Sequence, residues 1–189
     1  MRKLILLMVV LVGTTGALAQ TVFFRNDVIF TIEADRNVYF ADGTAVVGTQ
    51  YLAQLYYGAS PSSLNPVTSA PARFRDVTAS DPLAGTWVGA PRTLSGFSVG
   101  QTVTLQVRAW DGTVAGTYEQ AAALDFLGTQ HGTSATFTYQ IPSAAVPPAV
   151  FYIENFRGFS LVPEPTTAVL AVTSALALAL LRRKSNHKP

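Results

Sequence analysis

Cysteine is missing from all 189 residues. That excludes disulfide staples, thiol nucleophiles and thiolate metal sites. Lysine is missing from residues 20–161, and histidine occurs there once, as His131. Against seven arginines this stretch sets seven aspartates and three glutamates, a net charge of −3. The formal +2 of the whole chain therefore comes from its ends, where Arg2, Lys3, Arg182, Arg183, Lys184 and Lys188 lie. A basic pI of this origin is not a nucleic-acid signature, which needs cations clustered on a folded face. Also missing are a Gly-x-Ser-x-Gly elbow, an EF-hand loop and any fixed-period repeat.

The N-terminus has the three parts of a secretory signal peptide over residues 1–19. Arg2 and Lys3 are the positive start, residues 4–12 are an unbroken apolar run, and Ala17-Leu18-Ala19 offers small residues to a signal peptidase cutting before Gln20. Nine apolar residues are too few to span a bilayer. The C-terminus is a different object. Val162-Pro163-Glu164-Pro165 is followed by residues 166–181, which carry no charge, and then by Arg182-Arg183-Lys184 at the head of the tail 182–189. As a helix residues 166–181 measure roughly 24 Å, a little under a hydrocarbon core of about 30 Å. Pro165 suits the first turn of that helix. The basic cluster acts as a stop-transfer signal held on the cytoplasmic side, which leaves the rest of the chain outside.

Motif, apolar helix and basic end, in that order, resemble the PEP-CTERM sorting signal over residues 162–189. The resemblance implies that Val162, Pro163, Glu164 and Pro165 are read by a membrane-embedded, cysteine-dependent processing enzyme, an exosortase. It implies that the helix and tail are removed. The remainder would then pass to the cell surface or extracellular matrix of a bacterium that makes an exopolysaccharide, as in a biofilm. These residues are a substrate's tag and not a catalytic site.

Residues 20–161 form one ectodomain long enough to bury a core without staples. Their texture is β. In residues 101–110, Val103, Leu105, Val107 and Ala109 alternate with Thr104, Gln106 and Arg108, the mark of a half-buried strand. Asp111-Gly112 ends it. Residues 134–141 and 50–57 repeat the pattern; residues 28–33, 37–40 and 150–156 are further strands, and 22–24 and 96–98 weaker ones. Residues 117–127 predict one short helix stopped by Gly128. Residues 59–91, with five prolines, predict loops and at most one short strand near Phe74. Residues 143–149, which include Pro147-Pro148, predict an extended connection. The expectation is an all-β fold, an antiparallel β-sandwich of seven or eight strands, with a barrel as the alternative.

Chemistry is thinly spread. His131, Ser134 and Asp111 or Asp125 contain the residue types of a hydrolytic triad, without its sequence context. Glu33 with Asp35, or Glu119 with Glu154, are the carboxylates that folding would have to pair for glycoside cleavage. Asp35, Asn37 and Asp42 offer hard oxygens to Ca²⁺, though Asp-x-Asn and Asp-Gly are also ordinary turn chemistry. Trp110, Trp87 and Tyr56, with Tyr57 and Tyr152, could stack against sugar rings. Trp110 leads, because alternation puts it on the polar face with Arg108. Tyr56 and Tyr57 must point to opposite faces of one strand.

The reading is a non-enzymatic surface or matrix protein of structural or adhesive type with no cofactor. Its expected partners are the signal peptidase, the exosortase, the membrane through the C-terminal helix, and exopolysaccharide or other surface proteins, with no nucleic acid. The alternative is a secreted carbohydrate-binding module or minimal glycan-active protein.

Overall fold

The computed structural model describes residues 20–27, 35–124, 128–142 and 152–162. The expected signal peptide at residues 1–19, the strand expected at 28–33, the connection expected at 143–149, and the expected sorting signal from Pro163 onward lie outside the described residues. Among the described residues no helix is long and apolar enough to cross a membrane.

The protein is all-β with one short helix. Its centre is an antiparallel pair, β3 (Tyr51–Gly58) and β7 (Thr102–Asp111), in register from Tyr51 opposite Asp111 to Gly58 opposite Thr104. The alternation read from the sequence explains the pair. Ala53 and Leu55 on β3, and Val103, Leu105, Val107 and Ala109 on β7, are fully buried on one face. Each central strand is completed on its outer side by two short pieces. Beside β3 lie β4 (Asn65–Pro66) and β5 (Ala72–Arg73). Beside β7 lie β8 (His131–Thr133) and β9 (Phe137–Gln140).

Two smaller sheets share the same core. β1 (Gln20–Phe24) runs antiparallel to β6 (Ala90–Leu94), and β2 (Val38–Phe40) runs parallel to β10 (Phe159–Leu161). Single bridges tie the sheets together: Phe74 with Trp87, Phe23 with Tyr152, and His131 with Val162. Val22, Phe24, Val38, Leu94 and Leu161 meet the inward face of β3 and β7 in one cluster around Trp87. Each large side chain so enclosed stabilises the fold by about 1.5–3 kcal/mol.

Several elements depart from the sequence reading, among them β8, which it does not offer. Residues 59–91 hold β4, β5 and the start of β6. Pro66 is tolerated because it sits on a sheet edge, where its missing N–H is not needed. Residues 96–98 form no strand; they lie in the link from β6 to β7, where Phe97 packs edge-on against Tyr57 at 6.0 Å. Of residues 150–156, Tyr152 makes one bridge, and the chain then turns with Glu154 N–H donating to Tyr152 O and Phe156 N–H to Ile153 O. Ile153 and Phe156 are both buried at a spacing of three, which a strand cannot supply. The strand at this end is β10, three residues further on. The helix α1 (Tyr118–Ala123) ends at its C-cap Leu124, and residues 125–127 of the expected helix lie outside the described residues; Thr117 caps it and Gln120 closes a capping box.

Candidate functional site

The one described residue of the expected sorting motif is Val162, and it continues directly from β10. Its N–H donates to His131 O at 3.0 Å, while Leu161 is buried opposite Phe40 of β2. β10 is wedged between β2 and β8, and glycine makes the wedge possible on both sides. A Cβ at Gly132 would strike the Ser160 carbonyl oxygen, and one at Gly158 the Asn37 carbonyl oxygen. Val162, the first residue of the expected motif, is therefore part of the folded body.

The three leading residues of the aromatic platform expected from the sequence are not on the surface, whereas Tyr57 and Tyr152 are half-buried. Trp87 and Trp110 are fully buried and Tyr56 is 1% exposed. Trp87 lies at the centre of the main core, stacked on Phe24 at 4.7 Å, with Nε1 donating to Phe24 O at 3.2 Å. Trp110 does point to the outer face of the sheet, as its register demands, but α1 and the preceding loop fold back over it. Its Nε1 donates to Ala115 O at 2.9 Å, and Ala121, Leu52 and Tyr118 complete a second, small apolar cluster. None of the three can stack on a sugar ring from this position.

Tyr56 belongs to a charged cluster that fastens α1 to the sheet. The Arg108 guanidinium lies 4.0 Å over the Tyr56 ring and 5.1 Å from the Tyr118 ring. Its Nη1 donates to Glu119 Oε1 at 3.1 Å and its Nε to Gln106 Oε1 at 3.0 Å. The Tyr56 hydroxyl donates to the same Glu119 oxygen at 2.8 Å. Burial, and then the Glu119 carboxylate, push the Tyr56 pKa up. These groups are spent on one another, which suits a fastening better than an open binding site.

A buried polar node, not foreseen in the sequence, joins three segments. Asn26 Nδ2 donates to Arg36 O and to Gly85 O, both at 2.9 Å, and Asn26 Oδ1 accepts from Trp87 N–H at 3.0 Å. Arg36 beside it is buried, with Nη2 donating to Ile153 O at 2.9 Å and Arg25 O at 3.3 Å. Burial, then the charge of Arg157, bring its pKa down to about 10. Asp27 is engaged by Arg25 Nε and, at 3.1 Å, by Arg75. Within Arg25-Asn26-Asp27 the sequence signal is that of a polar turn after a strand, which hides the inward-facing asparagine.

The remaining candidates are dispersed. Ser134 is buried; its hydroxyl donates to Ala135 O at 2.8 Å and accepts from Val107 N–H at 3.0 Å, so its proton is committed away from any nucleophilic role. His131 is buried, with Nδ1 3.0 Å from Thr129 O and its ring edge-on to Tyr118 at 5.8 Å. Asp111 accepts from Thr113 in its own turn, and Asp125 and Glu33 lie outside the described residues. Asp35 accepts from Asn37 N–H and Asp42 from Thr44 N–H, each at 2.9 Å, so both act as turn residues. Among the described residues no three or more His, Asp or Glu groups converge where a metal could sit.

No family model, no curated protein and no solved structure matches this chain.

Proposed function

We propose that this chain is an exported surface or matrix protein of structural or adhesive type, presented to an exosortase by residues 162–189. The observation that carries the reading is the order of motif, apolar stretch and basic end in one chain with an export leader. Two features of the body fit it. The leading aromatic candidates for a sugar-stacking platform, Trp87, Trp110 and Tyr56, are enclosed, and Arg108 and Glu119 of the outer face are spent on holding α1. The body is taken to be a β-sandwich, the β3–β7 sheet forming one layer and the β1–β6 and β2–β10 pairs the other. That arrangement leaves Thr102, Thr104 and Thr138 on the outer face of the sheet, suited to lateral polar contact with polysaccharide or protein. The helix at 166–181 is a temporary hold, because it is marginal in length.

Intact mass and location of the mature protein in its own host test this, with and without Pro163, Glu164 and Pro165 changed together to Ala. The expected wild-type product lacks residues 1–19 and ends beyond Val162, outside the membrane. A cut before Val162 would remove part of β10 and is not expected from a product that stays folded. A full-length C-terminus held in the membrane in both versions would overturn the sorting assignment.

A further inference from the structure

We infer that, while the C-terminal helix is in the bilayer, one end of the body is held flat against the outer membrane surface of that bilayer. This rests on the reading of residues 166–181 as a membrane helix. The end is the one bearing the turn after β2, the turn after β7 and the start of β8.

The strand directions identify that end. β10 runs parallel to β2, so the chain leaves β10 beside Phe40 and the turn at residues 41–44. Val162 bridges His131, and His131 pairs with Trp110, so the turn at residues 111–114 lies at the same end. From Val162 to Thr166 there are four residue steps, which reach about 14 Å at full stretch. The headgroup layer itself takes up roughly 6 Å of that on each side of the bilayer. Pro163 and Pro165 stiffen the short link further. β10 is pinned on both sides by β2 and β8, so it gives the body no free hinge on which to swing away.

The chemistry of this end says what kind of contact it is. Residues 41–50, 111–116 and 128–132 carry the ionisable side chains Asp42, Asp111 and His131, and Arg73 and Arg75 flank them, Arg73 Nη1 donating to Thr49 O at 2.8 Å and Arg75 O accepting from Gly48 N–H. These charges are few and of mixed sign, far from the basic cluster that binds anionic lipid by itself. The tether enforces the contact. Residues 20–162 released from the helix should leave the membrane at once, as a matrix protein must.

The chain's lack of cysteine makes the test clean. Val114, 44% exposed, lies at the membrane end; Val99, 49% exposed, lies beyond the other end of β7. The strand between them spans about 30 Å. Full-length Val114→Cys and Val99→Cys carry a fluorophore in phosphatidylcholine vesicles doped with headgroup-nitroxide lipid. The expected result is several-fold stronger quenching at 114 than at 99. Ala41→Cys and Ser98→Cys, also exposed, repeat the comparison if either valine variant misfolds. Equal quenching at both ends, with the protein in the vesicle pellet, overturns the inference and leaves the membrane helix intact. Protein absent from the pellet removes the helix reading, and the inference with it.

Discussion

The two tryptophans of this chain do different work. Trp87 sits where three sheets converge, against Phe24, Phe74 and Phe156. Trp110 sits on the far side of the central sheet, under six residues of helix. Both are fully buried and both donate their indole N–H to a backbone carbonyl. Burial alone does not distinguish them. What distinguishes them is how much of the chain depends on each. The inner core integrates strands from both ends of the sequence, whereas the outer cluster holds one local excursion between β7 and β8.

The largest effect should therefore come from Trp87→Ala. A buried Trp→Ala change costs about 3–5 kcal/mol, and here the void opens at the junction of the sheets. We expect about 5 kcal/mol, enough to leave a domain of marginal stability largely unfolded. Trp110→Ala should cost about 3 kcal/mol, because α1 can collapse or detach over the gap. Hydrogen exchange separates the cases. Trp87→Ala should raise exchange across β1, β3 and β7 together, and Trp110→Ala mainly in α1 and β8. Equal, global loss in both would show that the outer cluster belongs to one cooperative unit with the core.

A medium effect probes the polar side of the inner core. Asn26→Ala leaves the Trp87 N–H and the Arg36 carbonyl without this partner, while Gly85 O keeps the Val38 N–H. Unsatisfied buried groups cost about 1–3 kcal/mol each, so a loss near 3 kcal/mol is expected after partial relaxation. Asn26→Asp keeps the acceptor but loses both donors and adds a buried charge, and should be no better. A loss under about 1 kcal/mol by chemical denaturation would mean that water replaces the side chain at low cost.

How much of this could be read from the sequence follows from the same contrast. β7 and β3 were legible because their period-two patterns face one continuous core. Trp110 was placed on the correct face of β7, but its cover was not legible, since α1 returns from outside the strand. β8 was missed because a three-residue piece built from His131, Gly132 and Thr133 has no alternation to show. β10 was missed because parallel pairing with β2 depends on residues more than a hundred positions apart, and its enabling glycines, Gly132 and Gly158, look like ordinary punctuation. Asn26 was illegible for a physical reason. A buried asparagine is defined by the three backbone groups around it, which come from distant segments.

The smallest predicted effect compares one tyrosine from each region. Tyr139 belongs to the inner core, and its hydroxyl has no hydrogen-bond partner among the described residues. Tyr56 lies on the outer face and donates to Glu119. At neutral pH, Tyr139→Phe should be neutral or stabilising by up to about 1 kcal/mol, since no bond is lost. Tyr56→Phe should cost about 1 kcal/mol, a value kept low because Glu119 is largely exposed. In alkali the order changes. Burial pushes the Tyr139 pKa up to about 12, and burial with Glu119 raises that of Tyr56. The fold therefore prefers both phenols neutral. That preference contributes fully below the ordinary tyrosine value of about 10 and is lost as pH rises toward the folded-state values. Arg36, lowered to about 10, acts with the opposite sign over the same range, so the informative quantity is the difference between wild type and each Phe variant. Between pH 10 and 12, Tyr139→Phe should hold its stability better than wild type in urea unfolding. Parallel curves for the two proteins would mean that the Tyr139 phenol ionises as freely in the folded state as in the unfolded chain.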